Sequence, residues 1–314
     1  MRVKSSTKSS RLQDVFGQTL LDLAEIDNRV VGITPAMPSG CSMTIMMEKM
    51  PERCFDVGIA EGHAVTFSAG LAAAGQRPFC NVYSTFMQRA YDNIIHDVAL
   101  QNLPVIFCLD RGGLVGEDGA THHGAFDIAY LGCIPNIIIA TPSDEWELRN
   151  MMFTALHSDV PFAIRYPRGT GRGTEWRNMP FEAIELGKAR QVREGKDVAI
   201  FAFGTLLVEA EQAAAQADVI GVNTAVYDMR FAKPLDKELI LDVARKVKRI
   251  VTVEDGIIRG GAGEAVVKLL NENGISTPVT TLGINDKFVE HGSVGELRHI
   301  CGYDTEGILH AAVE

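Results

Sequence analysis

The sequence predicts an α/β protein made of two doubly wound domains, and three observations carry that prediction. Short apolar runs alternate with longer helical patterns from end to end, the signature of a mainly parallel sheet covered on both faces. A glycine-rich break with Gly169, Gly171, Gly173, Trp176, Asn178 and Pro180 interrupts the alternation once. The 314 residues, 46% hydrophobic and 22% charged, suffice for two cores at roughly 150 residues each.

The elements follow in order. Val30–Thr34, Cys54–Ile59, Phe79–Tyr83, Pro104–Leu109, Ile137–Thr141 and Phe162–Tyr166 are rich in Val, Ile or Phe and bounded by Gly, Pro, Asp or Ser, which predicts strands. Helices are predicted near 11–25, 42–50, 62–75, 86–102 and 143–157. The last opens on Ser143, Asp144 and Glu145, a cap followed by negative charge in the first turn. After the break come strands at Val198–Phe203, Thr224–Asp228, Ile250–Glu254 and Val279–Gly283, with helices near 205–218, 236–247, 261–273 and 293–300. The organisation expected is a polar tail over 1–10, a first domain over 11–168, a connector over 169–190 and a second domain over 191–314.

Charge and cysteine content narrow the partners. Thirty Lys and Arg against forty Asp and Glu leave a net charge of −10, which gives no footing for a phosphate backbone, so no nucleic acid is expected. No apolar stretch suits a secretory signal or a membrane span. Cys41, Cys54, Cys80, Cys108, Cys133 and Cys301 are scattered without a C-x-x-C pair and read as reduced thiols of a cytoplasmic protein.

Several motifs have ordinary explanations. Met43, Met46, Met47 and Met50 fall at i, i+3, i+4 and i+7, a spacing that suits core or interface packing. Gly261-x-Gly263-x-x-Val266 lacks the third glycine of a dinucleotide fingerprint. Glu61 starts a small-residue helix directly after a strand, where a carboxylate is favoured by the helix terminus and where open sheets bind ligands. His63 reads equally well as a half-buried structural histidine. His122 and His123 lie in a glycine-punctuated loop after the strand ending at Asp110; without a third ligand at a characteristic spacing, no metal site is expected there, and proton transfer suits the loop better. Arg111 and Arg168 each closely follow an apolar strand, placing two guanidinium groups near one sheet edge, as anion ligands or in surface ion pairs.

At these residues the sequence resembles a known family. Asp56-Val57-Gly58-Ile59-Ala60-Glu61, the run Tyr83 to Asp92, Asp110-Arg111, Gly116-Glu117-Asp118-Gly119, the run Thr121 to Asp127, Arg165 to Gly169, Asp228-Met229-Arg230-Phe231 and Glu290-His291-Gly292-Ser293 closely resemble the 1-deoxy-D-xylulose-5-phosphate synthase family of transketolase-like enzymes. The resemblance spans nearly everything after the first ten residues. It implies a thiamine-diphosphate-fold pyrimidine-binding domain followed by a transketolase C-terminal domain. The activity implied is condensation of pyruvate with D-glyceraldehyde 3-phosphate, with loss of CO2, for isoprenoid precursor, thiamine and pyridoxal synthesis.

By the same resemblance, Glu61 is the carboxyl that meets the aminopyrimidine, Phe86 stacks on that ring and Arg89 neighbours it. Tyr83, Arg111 and Arg168 hold the acceptor phosphate, and His122 moves protons at the substrate. Asp118, His63 and His291 match motif positions without a settled role. The family's Gly-Asp-Gly, which with a later Asn holds Mg2+ and the diphosphate, is absent from this sequence, so the resemblance implies that a separate amino-terminal half must supply it, in cis or in trans. It also implies a homodimer, and a chain inactive by itself. Gly62 stands where Gln is usual, Gly112 where Ala is, and Ala120 where Pro is; Gly62 is expected to free the backbone beside Glu61. A split transketolase or 2-oxoacid dehydrogenase beta-type subunit, and a non-catalytic assembly partner, are the alternative readings.

Overall fold

The computed structural model describes residues 9–314, so most of the tail expected over 1–10 lies outside the described residues. Of its described part, Ser10 accepts a hydrogen bond from the Trp176 indole at 3.2 Å. The chain divides into two compact units, residues 1–112 with 133–184 and residues 113–132 with 185–314. The loop that carries both tandem histidines thus groups with the later part of the chain.

In the first unit, β1 (Val30–Thr34), β2 (Cys54–Asp56), β3 (Arg77–Tyr83), β4 (Ile106–Asp110), β5 (Ile138–Ala140) and β6 (Phe162–Tyr166) follow the order β5-β6-β4-β3-β1-β2, all parallel. β1, β4, β5 and β6 are buried along their whole length, as expected of strands covered on both faces. The helices are α1 (Leu12–Ile26), α2 (Thr44–Lys49), α3 (Glu61–Ala73), α4 (Ser84–Met87), α5 (Tyr91–Asn93) and, after residues 127–132, α7 (Glu145–Leu156). Met43 and Met46 are fully buried, so that methionine face serves the core. The single helix expected over 86–102 is instead α4, a 3-10 turn at Gln88–Ala90, α5 and a π-helical stretch at Ile94–Ala99. Such changes of helical pitch re-aim the side chains of the segment.

The cap of α7 is Asp144 rather than Ser143: its carboxylate accepts from Glu147 N at 2.8 Å. The residues after β6 run as a strap along this helix. Glu145 accepts from Gly173 N and Thr174 N, Asn150 from Glu182 N and Thr154 from Ile184 N, while Arg149 lies 3.6 Å over the Phe181 ring. Connector amides thus satisfy the buried carboxylate of Glu145, the amide oxygen of Asn150 and the hydroxyl of Thr154.

The second unit contains α6 (Asp127–Gly132), β7 (Arg190–Arg193), β8 (Val198–Ala202), α8 (Leu207–Val219), β9 (Thr224–Asp228), the short β10 (Phe231–Lys233), α9 (Lys237–Ala244), β11 (Arg249–Ile257), α10 (Ala262–Glu272), β12 (Val279–Ile284), α11 (Val294–Cys301) and α12 (Thr305–Val313). Its sheet has the order β12-β11-β8-β9-β7, parallel except for β7 at the edge. α6, β7, β10 and α12 were not expected from the sequence; α6, β7 and β10 are short, and tertiary pairing decides such segments. The glycine-rich start of α10 is filled by the protein's own anion: Glu254 accepts from Ala262 N at 3.0 Å and Gly263 N at 2.8 Å. That occupancy explains why the glycines there do not form a phosphate loop. No helix among the described residues is long and apolar enough to cross a membrane. None of the six cysteines is in a disulfide, and only Cys133 is exposed.

Candidate functional site

The sheet register of the first unit assembles the site. Tyr83 pairs with Asp110, and Asp110 with Tyr166, so the carboxyl ends of β3, β4 and β6 finish in one row. This is the edge at which open parallel sheets bind ligands. Arg111 and Arg168 follow β4 and β6 directly, and Phe86 and Arg89 follow β3.

Five of the residues singled out in the sequence form a continuous column there. The Arg111 guanidinium lies 3.6 Å over the Tyr83 ring, and Tyr83 stacks on Phe86 with centroids 5.8 Å apart at 18°. The Arg89 guanidinium stands 4.9 Å from the Phe86 centroid, and its Nη1 donates to Glu61 Oε1 at 2.8 Å. Each such cation over an aromatic ring is worth about 0.5–2 kcal/mol, depending on desolvation. Burial pushes the Tyr83 phenol up, with the Arg111 charge pulling the other way. Arg168 is exposed, and its charge reaches both Tyr83 and Asp110.

Glu61 opens α3 and is buried. The approach to it is shaped by Asp56, whose Oδ1 accepts from Ala36 N at 2.8 Å and Gly58 N at 3.0 Å, and by the positive φ of Gly58. His63, two residues further along the helix, is exposed and stacks on Phe67 with centroids 6.0 Å apart, so it is not the half-buried residue expected. Gly62 also departs from expectation. Its φ is not positive, and a Cβ there would meet Asn93 Oδ1 at 2.9 Å. The missing side chain makes room for Asn93, which donates to Thr66 and Asp97.

In the second unit, Gly113 and Gly124 bridge and close the loop that holds the tandem histidines. The two diverge. Val115 N donates to Nδ1 of buried His123 at 3.1 Å, and His123 Nε2 lies 3.2 Å from Glu290 O, which commits both ring nitrogens to structure. His122 is half-buried, with Nδ1 2.8 Å from Thr121 Oγ1. Gly119, at φ 73°, lies so close to His291 that a Cβ would stand 3.3 Å from His291 Cβ. Asp118, His122 and His291 are thus gathered in one loop pair of this unit, with Asp118 and His291 exposed.

Two residues of the first unit were missed at the level of sequence. A Cβ at Gly40 would stand 1.9 Å from the Tyr83 hydroxyl, so glycine is required for the ring to lie where it does. Asp110, quoted only as part of a motif, pairs with Arg111. Gly40→Ala is expected to destabilise the protein by about 1–3 kcal/mol through overpacking. Adding Tyr83→Phe should recover part of that loss, as read by urea unfolding midpoints in a double-mutant cycle; strict additivity would contradict the contact.

A buried carboxyl beside an exposed guanidinium and an aromatic face fits an aminopyrimidine, which needs one acidic partner and one stacking surface. The start of α10 offers no diphosphate anchor, because Glu254 takes its amides. One set of three potential metal ligands gathers, His299, Asp304 and Glu306, at the surface of the second unit. Asp304 there also caps α12.

Residues 8–173 match the family described as transketolase, pyrimidine binding domain, and residues 187–308 match transketolase, C-terminal domain. Proteins named 1-deoxy-D-xylulose-5-phosphate synthase are similar over nearly the whole chain: 56% identical in Phocaeicola vulgatus, 51% in Azobacteroides pseudotrichonymphae and 52% in Thermomicrobium roseum. These alignments cover 96%, 100% and 95% of this chain but 48%, 50% and 47% of the relatives, so the chain spans about half their length. Among solved structures, one described as a split gene transketolase, inactive beta4 tetramer, superposes with a TM-score of 0.84 at 28% identity, covering 97% of both chains. Transketolase from Campylobacter jejuni shares the fold at a TM-score of 0.80 and 18% identity, over 96% of this chain and 46% of its own. The chain therefore belongs to the transketolase family, carrying that family's pyrimidine-binding domain followed by its C-terminal domain.

Proposed function

We propose that this chain is the pyrimidine-recognising and C-terminal part of a 1-deoxy-D-xylulose-5-phosphate synthase, joining the two-carbon unit of pyruvate to D-glyceraldehyde 3-phosphate with release of CO2. The observation that carries the reading is the column from Arg111 through Tyr83, Phe86 and Arg89 to Glu61, with a carboxylate at one end and an anion-binding guanidinium at the other. The names of the relatives support the same assignment.

Thiamine diphosphate supplies the electron sink for the decarboxylation. Glu61 holds a proton at the aminopyrimidine N1′, and Phe86 packs against the ring and keeps it dry. Arg89, which lies against both of them in this structure, hands its place at the carboxylate to the pyrimidine. Arg111 and Arg168, beside the Tyr83 hydroxyl, bind the acceptor's phosphate through forked, charge-assisted hydrogen bonds. His122 moves a proton at the substrate, with Asp118 and His291 lining the same loop pair. Mg2+ and the diphosphate are held by an amino-terminal half, in cis or in trans, in a cytoplasmic homodimer. The similar split-gene transketolase, described as an inactive β4 tetramer, supports the expectation that this portion alone has no turnover.

The test is reconstitution with a diphosphate-binding half. Turnover of pyruvate with D-glyceraldehyde 3-phosphate is expected, and Arg111→Ala should raise KM for the phosphorylated acceptor about 10–100-fold, the size of a lost charged hydrogen bond. Preference for ketose phosphates would make the chain a split transketolase. An assembled complex without turnover of either would make it a structural partner.

A further inference from the structure

Asp110 is a buried carboxyl at the sheet edge that neither the motif reading nor the proposed reaction uses. It is fully buried at the end of β4. Its Oδ2 lies 3.0 Å from Arg111 Nη1, and among the described residues neither oxygen accepts an aligned hydrogen bond from any other side chain. Burial pushes its pKa up to about 7 even though Arg111 and Arg168 pull it down. Tyr83, Cys41, Tyr166 and Cys108 are the remaining titratable neighbours. A carboxylate so poorly served costs stability.

The pair joins adjacent residues, so it closes no distant part of the fold. What it does determine is the orientation of one guanidinium. Arg111 stands at φ 61°, a left-handed conformation that costs a non-glycine residue about 1 kcal/mol or more. From that turn its Nη1 reaches Asp110 at 3.0 Å and the Gly40 carbonyl at 3.4 Å, while the guanidinium lies 3.6 Å over the Tyr83 ring. All the hydrogen-bonding contacts the guanidinium makes among the described residues use that one nitrogen. Its Nε and Nη2 donors are left for a ligand.

We propose that Asp110 is a positioning residue for anion recognition, holding the Arg111 guanidinium over Tyr83 so that its remaining N–H donors meet a phosphate monoester. The proposal rests on the assignment of Arg111 to the acceptor phosphate, and the test separates the two. In the enzyme assembled with its diphosphate-binding half, Asp110→Asn, Arg111→Ala and the double variant are compared on D-glyceraldehyde 3-phosphate and unphosphorylated D-glyceraldehyde.

Asp110→Asn is expected to raise KM for the phosphorylated acceptor about tenfold with kcat within about threefold, and to lower the preference for it over the unphosphorylated aldehyde by the same factor. The double variant should be no worse than Arg111→Ala alone. Additive losses, an equal effect on both acceptors, or a fall in kcat without a change in KM would each overturn the positioning role while leaving Arg111 in place. An Arg111→Ala variant with unchanged KM for the phosphorylated acceptor would overturn the assignment of Arg111, and the role of Asp110 with it. Should the isosteric variant fail to fold by circular dichroism, Asp110→Ser takes its place with the same KM split required.

Discussion

Glu61→Ala in the assembled enzyme is expected to lower turnover about 10³-fold, within the range of one lost acid-base group. The fold should survive the change. The partner of Glu61 is Arg89, whose side chain is 60% exposed, so water replaces the lost ion pair and the stability cost should stay within about 1 kcal/mol. Glu61→Gln should be nearly as inactive, because the amide keeps the shape of the carboxyl but cannot exchange a proton. Steady-state turnover with pyruvate and D-glyceraldehyde 3-phosphate is the measurement, with a thermal melt to confirm folding. Activity within tenfold of the parent would remove Glu61 from the chemistry.

The second large effect concerns stability. Asp255 is the hub of the second unit: it accepts from Leu114 N at 2.9 Å, Tyr303 Oη at 3.0 Å and Arg298 Nη2 at 2.8 Å. Arg298 also donates to Glu209 at 2.6 Å. Burial disfavours the Arg298 charge, but Asp255 and Glu209 more than offset it and raise its affinity for the proton. Burial together with the Asp255 carboxylate pushes the Tyr303 phenol well up. Asp255→Ala leaves the arginine with Glu209 alone and is expected to cost about 3–5 kcal/mol in urea unfolding.

The same substitution should speed amide exchange in the loop from Gly113 to Gly124, because Leu114 N loses its acceptor. A loss under about 1 kcal/mol would show that the network contributes little to the fold. The close approach of Gly113, whose Cβ would stand 2.3 Å from the Asp255 carboxyl carbon, is a further reason that the loop begins with glycine.

Strand positions and fold class were legible in the sequence because apolar runs and their boundaries are local properties. β1, β6 and β9 have the bounds the pattern predicted. Glu61, Phe86, Arg89, Tyr83 and Arg111 were recognised through motifs, and the column they form needed the register of β3 against β4. The long helix expected over 86–102 broke into segments because tertiary contacts, not periodicity, set its pitch. Gly40 and Asp110 stayed hidden. A glycine's neighbours across space, here the Tyr83 hydroxyl 43 positions later in the chain, leave no mark on its own surroundings in sequence.

By itself, then, the sequence determined the α/β class, the parallel order of strand and helix, and the set of residue types able to handle a proton and an anion. These follow from hydrophobic periodicity and side-chain chemistry, which are written along the chain. Only the tertiary structure decided that His123 is a buried structural residue while His122 keeps its place in the loop, that Glu254 fills the glycine-rich start of α10, and that Asp110 grips Arg111. Each of those outcomes depends on which backbone amide or guanidinium arrives from elsewhere in the fold, and hydrogen-bond partners separated by many residues are chosen by packing, not by spacing.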